Sequence, residues 1–272
     1  MASYETLWDM TLDAIPQDSH DEKEPTGRIN HTLGNIIYGV VGAAFKVAFR
    51  YRAEGVENVR AFHHKQGAIV VCNHTSYLDP VMLWLCLRPT QWVRLMARDN
   101  MFKNFHGIAG HVLGRVGAFP IKRDSADRTA IKRATAMLKR GELVGIYPEG
   151  TRRGRGTAEI SLHSGVAFIA RMAKAPMIPA TVRDVEKVKP KGQKLVHFPQ
   201  VTVEYGRPVY LDAFDFLPKE DRLDGATWYV MRECYALSRR CDRDSVDMTE
   251  LFPDSKDFSC EFKGKDLFRS EI

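Results

Sequence analysis

Apolar residues recur along this chain in two rhythms. Short runs at about 67–72, 91–97, 142–147, 175–182 and 200–205 have the length and the flanking turn residues of buried strands. Between them lie stretches with helical spacing, at about 77–88, 100–113, 125–140 and 161–173. This alternation predicts an α/β domain over 52–212, a mostly parallel or mixed central sheet flanked by helices. Beyond Pro208 the pattern weakens. One helix near 225–240 and a polar tail make 213–272 a C-terminal helix and tail.

Upstream, "LGNIIYGVVGAAFKVAF" (33–49) is the most apolar long segment. At ~1.5 Å per residue a helix here reaches about 26 Å, short of a ~30 Å hydrocarbon core. Asn35 and Lys46 interrupt it, and Arg50 and Arg52 follow at once. The pattern predicts a membrane-associated helical segment at 29–51, lying in or dipping into the bilayer with its arginines at anionic headgroups. A core helix is the ordinary alternative. Residues 1–28 read as a polar, acidic appendage in which Tyr4, Leu7, Trp8, Leu12 and Ile15 share one helix face. The stretch has no basic and then apolar lead, so it is not a secretory signal.

Composition narrows the partners. The 272 residues carry a net charge of +6 with pI ≈ 9.0, which suits an anionic partner: nucleic acid, a membrane surface or a phosphorylated substrate. RNA-binding motifs and interleaved aromatics are missing from the basic stretches, so nucleic acid is not expected. The five cysteines (72, 86, 234, 241 and 260) form no CxxC, which excludes a zinc site or disulfide framework as the organising feature and predicts no metal. Cys72 and Cys86 sit in apolar runs and read as core filler.

Four stretches carry chemistry. In "CNHTSYLDP" (72–80) a strand ends on Asn73-His74, and Asp79 follows just before Pro80. A strand-end histidine lies where ligands of α/β folds collect. Its imidazole can take a proton from an alcohol, and Asp79 can fix the tautomer from the other ring nitrogen. Alone, the pair is also compatible with an ordinary strand, turn and helix. Ser76 between them lacks the Gly-x-Ser-x-Gly elbow and reads as a helix cap or a hydrogen-bonding partner in the turn, not a nucleophile. In "GAFPIKR" (117–123) a short apolar strand ends on Arg123, whose guanidinium fork suits phosphate. In "YPEGTRRGRG" (147–156), Gly150 permits a tight turn, Thr151 offers a hydroxyl and an amide, and Arg152 offers charge. Glu149 could orient an arginine or bind acceptor hydroxyls. In "APMIPA" (175–180) two prolines read as stiffening an edge or a turn.

In this order the four blocks resemble the glycerolipid acyltransferase family, the lysophosphatidic acid acyltransferases. "NHTSYLD" is similar to its His-x4-Asp block, "GAFPIKR" to its second, "PEGTR" to its third and "APMIP" to its proline block, over roughly 50–210. "LHSG" (162–165) departs from the family's Phe-Lys-x-Gly and leaves His163 without an assigned role. The resemblance implies acyl transfer from acyl-CoA or acyl-carrier protein to the hydroxyl of 1-acyl-glycerol 3-phosphate. His74 would be the general base and Asp79 its orienter. Arg123, Glu149, Gly150, Thr151 and Arg152 would hold the glycerol phosphate. It implies no resident cofactor, a membrane lipid and an acyl thioester as partners, and a monotopic or peripheral place on the cytoplasmic face of a membrane. The segment 33–49 and the Trp84/Trp92 region suit that place, although Trp92 reads more simply as core. Glycerol 3-phosphate, a lysophospholipid or a glycolipid remain alternative acceptors, and a non-catalytic lipid-binding protein is the alternative class.

Overall fold

A computed structural model of the chain describes residues 31–63, 65–88, 91–104, 108–122, 127–153, 160–190, 192 and 195–269, together with Leu7. Seven strands form one sheet: β1 (Arg52–Glu54), β2 (Ala68–Cys72), β3 (Val93–Arg98), β4 (Phe119–Ile121), β5 (Leu143–Ile146), β6 (Met177–Arg183) and β7 (Thr202–Tyr205), in the order β1-β7-β6-β2-β5-β3-β4. The five strands from β6 to β4 are parallel. β7 runs antiparallel to β6 and pairs in parallel with β1, so the sheet is mixed.

β2 lies at the centre, and its continuous apolar run follows from burial on both faces. Ile69 and Val71 enter one core; Ala68, Val70 and Cys72 enter the other. The first core is closed by α6 (Arg128–Lys139), α7 (Gly165–Ala173) and α8 (Arg222–Arg239). The second is closed by α1 (His31–Phe49), α2 (Glu57–Arg60), α3 (Asp79–Leu87) and α4 (Asp99–Lys103). Leu7 is buried in that second core; the other residues of the helix face read at Tyr4, Trp8, Leu12 and Ile15 lie outside the described residues.

Four expectations change. The helix read over 100–113 is two elements, α4 and α5 (Ile108–Arg115). The segment "APMIPA" is neither edge nor turn. Pro179 sits in β6, an inner strand, opposite Val71 of β2. Its missing N–H is tolerated because the β6–β7 ladder starts one residue later, at Ala180, and the Pro179 carbonyl takes the Gly206 amide (2.8 Å). The polar tail is packed against the body. Phe252, Phe258, Phe262 and Phe268 bury their rings in the α8 core, helped by α9 (Met248–Leu251) and α10 (Ser259–Phe262). Finally, Trp84 is a core residue and not a membrane contact; it packs edge to face at 6.0 Å on Trp92, which is core as expected, beneath α1.

α1 forms where the apolar segment predicted a helix. Ile37, Tyr38, Val41, Phe45 and Ala48 pack on the second core, while Ile36, Val40 and Val47 are exposed. A side chain at Gly34 would run into the Trp92 indole, so glycine sets how closely α1 lies on the domain. Among the described residues no helix is long and apolar enough to cross a membrane.

Candidate active site

β2 delivers His74 to the carboxyl edge of the sheet, and α3 begins five residues later with Asp79 in its first turn. The short turn between them folds around one carboxylate oxygen. Asp79 Oδ2 accepts from His74 Nδ1 (2.8 Å), from the Thr75 amide (2.7 Å) and from the Ser76 amide (2.8 Å). Asp79 is 1% exposed, while the His74 side chain keeps 17%. With Nδ1–H donated to the carboxylate, Nε2 carries the lone pair that can receive a proton. The Tyr147 ring lies 4.5 Å from the imidazole, centroid to centroid, and walls one of its sides.

β5 ends at the same edge and feeds the loop 147–153. Gly150 adopts φ +59 and its amide bonds the Tyr147 carbonyl (3.0 Å), closing the tight turn that glycine permits. Arg98, at the end of β3, grips the Gly150 carbonyl with Nε (3.3 Å) and Nη2 (2.9 Å). The Arg153 amide bonds the His74 carbonyl (2.8 Å), so this loop and the histidine turn are tied directly.

Beneath the loop, Glu149 is 1% exposed. Tyr235 of α8 donates its hydroxyl to Glu149 Oε1. Arg153 Nε donates to the same tyrosine oxygen (2.7 Å) and lies 3.9 Å from Glu149 Oε2. Burial pushes the Glu149 carboxyl up to about 7, against the opposing pull of the Tyr235 hydroxyl, Arg153 and the His74 backbone amide. Burial and the adjacent carboxylate hold the Tyr235 phenol well above its usual range, so it stays a donor. Arg153 is clamped further by the Leu251 carbonyl (3.0 Å) and the Phe252 ring (4.9 Å).

Of the residues singled out in the sequence, His74, Asp79, Glu149, Gly150, Thr151 and Arg152 gather at this edge. Glu149 is turned onto Tyr235 and Arg153. Arg152 lies over the Tyr77 ring (3.1 Å to its centroid) on the outer side of the loop. The Thr151 amide bonds the Glu149 carbonyl (2.6 Å). Arg123 lies outside the described residues. His163 is exposed, and its backbone amide bonds Pro148 (3.2 Å). Sequence reasoning missed Arg98, Arg153, Tyr147 and Tyr235. A second arginine in "TRR" was the one available hint for Arg153, and nothing in α8 distinguishes Tyr235 from core. Among the described residues no group of three His, Cys, Asp or Glu side chains could hold a metal ion, and all five cysteines are free.

A model of the Acyltransferase family matches residues 50–183, the span that carries His74, Asp79 and the loop 147–153. The 1-acyl-sn-glycerol-3-phosphate acyltransferase of Bacillus subtilis is 29% identical over 177 residues, 65% of this chain and 84% of that protein. The Streptococcus pneumoniae enzyme of the same name is 30% identical over 142 residues, and the chloroplastic LPAT1 of Arabidopsis thaliana is 26% identical over 177. This chain spans about half the length of those two, 49% and 48%. The crystal structure of the 1-acyl-sn-glycerophosphate acyltransferase PlsC from Thermotoga maritima shares the fold, with a TM-score of 0.55 at 21% identity over 79% of this chain and 84% of that one. The chain belongs to the Acyltransferase family and is an O-acyltransferase; it is the relatives that are named for 1-acylglycerol 3-phosphate.

Proposed function

We propose that this enzyme moves a fatty acyl group from acyl-CoA or acyl-carrier protein to the free hydroxyl of 1-acyl-glycerol 3-phosphate, giving phosphatidic acid. The observation that carries the reading is the Asp79 carboxylate oxygen, which takes the His74 ring and two backbone amides at 2.7–2.8 Å. That arrangement holds the imidazole with Nε2 free for the acceptor. His74 takes the hydroxyl proton as the oxygen attacks the thioester carbonyl. Asp79 favours the imidazolium that forms. The tetrahedral intermediate then expels the thiolate, which recovers the proton from His74, and no acyl-enzyme is needed. Arg152, Gly150 and Thr151, with Arg123, hold the glycerol phosphate; this is chiefly a positioning task. Glu149 serves by holding the loop that carries them.

A long-chain acceptor resides in a bilayer, so the enzyme works at the membrane, as a monotopic or peripheral protein on the cytoplasmic face. α1 is the anchor, through its exposed Ile36, Val40 and Val47.

The test is purified protein in detergent with oleoyl-CoA and a panel of lysolipids, the products read by mass spectrometry. Lysophosphatidic acid should be the preferred acceptor. Arg152→Ala should reduce its use far more than that of an acceptor lacking phosphate. Equal losses on both would remove Arg152 from phosphate recognition. Preference for a phosphate-free acceptor would overturn the substrate.

A further inference from the structure

The connection from β6 to β7, residues 184–201, has no part in the chemistry above, yet it presents apolar side chains to solvent. Leu195 is 74% exposed, Val196 53% and Phe198 57%. Side chains this large are not grouped on a surface without a partner. The tip is also held in place. The Phe198 ring rests on Phe49 of α1 (5.6 Å), Arg50 Nη2 donates to the Phe198 carbonyl (2.9 Å), and the His197 amide bonds Val188 (2.8 Å).

Topology says which way the tip faces. β6 runs parallel to β2, so it ends at the edge that carries His74; β7 starts back from that edge, with Thr202 opposite Arg183. β1 starts there too, with Arg52 opposite Thr202, and so the C-terminal end of α1 lies at the same edge. At about 4.8 Å per strand, the tip stands roughly 10–15 Å to the side of β2. The exposed stripe of α1, Ile36, Val40 and Val47, ends beside it. Around the junction are the exposed cations Lys46, Arg50, Arg52 and Lys189.

We infer that the 195–198 tip is a second bilayer-contacting element, inserting into the interfacial layer of an anionic membrane and turning the His74 edge toward it. The inference rests on the reading that the enzyme works at a bilayer. Apolar tips with a cationic collar suit the boundary between acyl chains and anionic headgroups. A second copy of the chain, itself at net charge +6, would meet that collar with charge of the same sign. With both elements engaged, a lipid acceptor reaches His74 from the membrane and need not leave it.

The experiment places an indole at the tip, Phe198→Trp in the full chain. It uses vesicles of phosphatidylcholine and phosphatidylglycerol, with and without brominated acyl chains. Trp84, Trp92 and Trp228 are buried, and wild-type protein gives their background together with that of Trp8. Brominated lipid should quench most of the added fluorescence. Leu195→Asp with Phe198→Asp should lower vesicle partition about tenfold, while turnover of micellar substrate stays at the wild-type level. Protein that binds vesicles with the new indole unquenched overturns the tip and leaves α1 as the anchor. Failure of wild-type protein to bind vesicles overturns the bilayer reading as well. If the double variant binds vesicles normally but loses transfer from acyl-carrier protein and not from acyl-CoA, the surface is a protein dock and the inference falls.

Discussion

Two clusters of buried charge sit at opposite edges of the same sheet, and they are built differently. At the amino edge, Arg94 near the start of β3 pairs with Glu142 just before β5 (2.8 Å), both essentially without exposure. Arg94 Nε also donates to the Gly117 carbonyl (2.8 Å), and Arg140 Nε donates to the other Glu142 oxygen (3.1 Å). Each carboxylate oxygen there has its own guanidinium. At the carboxyl edge two carboxylates, Asp79 and Glu149, are buried, and among the described residues Glu149 is paired with the partly exposed Arg153 at 3.9 Å. Asp79 is satisfied instead by amides and an imidazole, and burial leaves Glu149 near neutrality at about 7. Removing one partner of a matched buried pair strands the other charge, whereas a carboxyl raised by burial changes its charge within the neutral pH range. The same residue types therefore respond to the loss of a partner at one edge and to pH at the other.

The sharpest break in this comparison is His74→Ala. Loss of a general base should lower turnover by ~10²–10⁴-fold, with the thermal midpoint close to wild type. Asp79→Asn should be severely impaired as well, because an amide can select the wrong imidazole tautomer. A folded His74→Ala enzyme keeping more than about a tenth of the rate removes the base assignment.

The opposite edge should answer in stability. Arg94→Met leaves Glu142 buried with Arg140 alone. Breaking a buried pair from one side costs about 3–5 kcal/mol. Urea unfolding should show that loss, while turnover per folded molecule stays near wild type. A large fall in kcat with unchanged stability would mean that the two edges are not separate in function.

Glu149 gives a pH signature that the amino edge lacks. Its folded pKa of about 7 lies above the ordinary value of 4.5, so between these pH values the folded state holds a proton that the unfolded chain has released. Its contribution to stability is therefore complete below about pH 4.5, declines as pH rises and levels off above about 7. The total decline is roughly 3 kcal/mol at most, from ~1.4 kcal/mol per pKa unit. Glu149→Gln mimics the neutral carboxyl and should gain on wild type by up to that amount as pH rises. Parallel melting curves for the two proteins across this range would place a charged Glu149 in the folded state throughout.

Much of this edge was legible in the sequence, and the reasons are local. His74 and Asp79 could be placed because β2 is buried on both faces and leaves an unbroken apolar run that ends one residue before Asn73-His74. Turn residues marked Gly150 for the same kind of reason. Contacts made across the fold left no such trace. Tyr235 reaches Glu149 from 86 residues away, and Arg94 lies in a strand read simply as apolar. β1, exposed along its whole length, has no hydrophobic pattern to read. The aromatics of the tail are spaced four to six residues apart among charges, so their burial appears only once α8 supplies the surface they cover.

The smallest expected effect is at Ser76, and it tests whether the attack is direct. The hydroxyl lies between His74 and Asp79 in the sequence, where a nucleophile would attract notice. Yet Asp79 is held by the Ser76 amide, which alanine retains, while the hydroxyl oxygen accepts from the Leu78 amide (3.2 Å). Ser76→Ala therefore loses one side-chain bond within the turn that precedes α3, about 1 kcal/mol of stability. His74 and Asp79 keep their geometry, and turnover should stay near the wild-type rate. A hydroxyl that carried the acyl group would instead be indispensable. Single-turnover reactions with radiolabelled acyl-CoA, quenched before the acceptor is added, should leave no label on the protein. An acyl ester recovered on Ser76 would replace direct attack by a two-step transfer and make His74 the base for serine, not for the lipid hydroxyl.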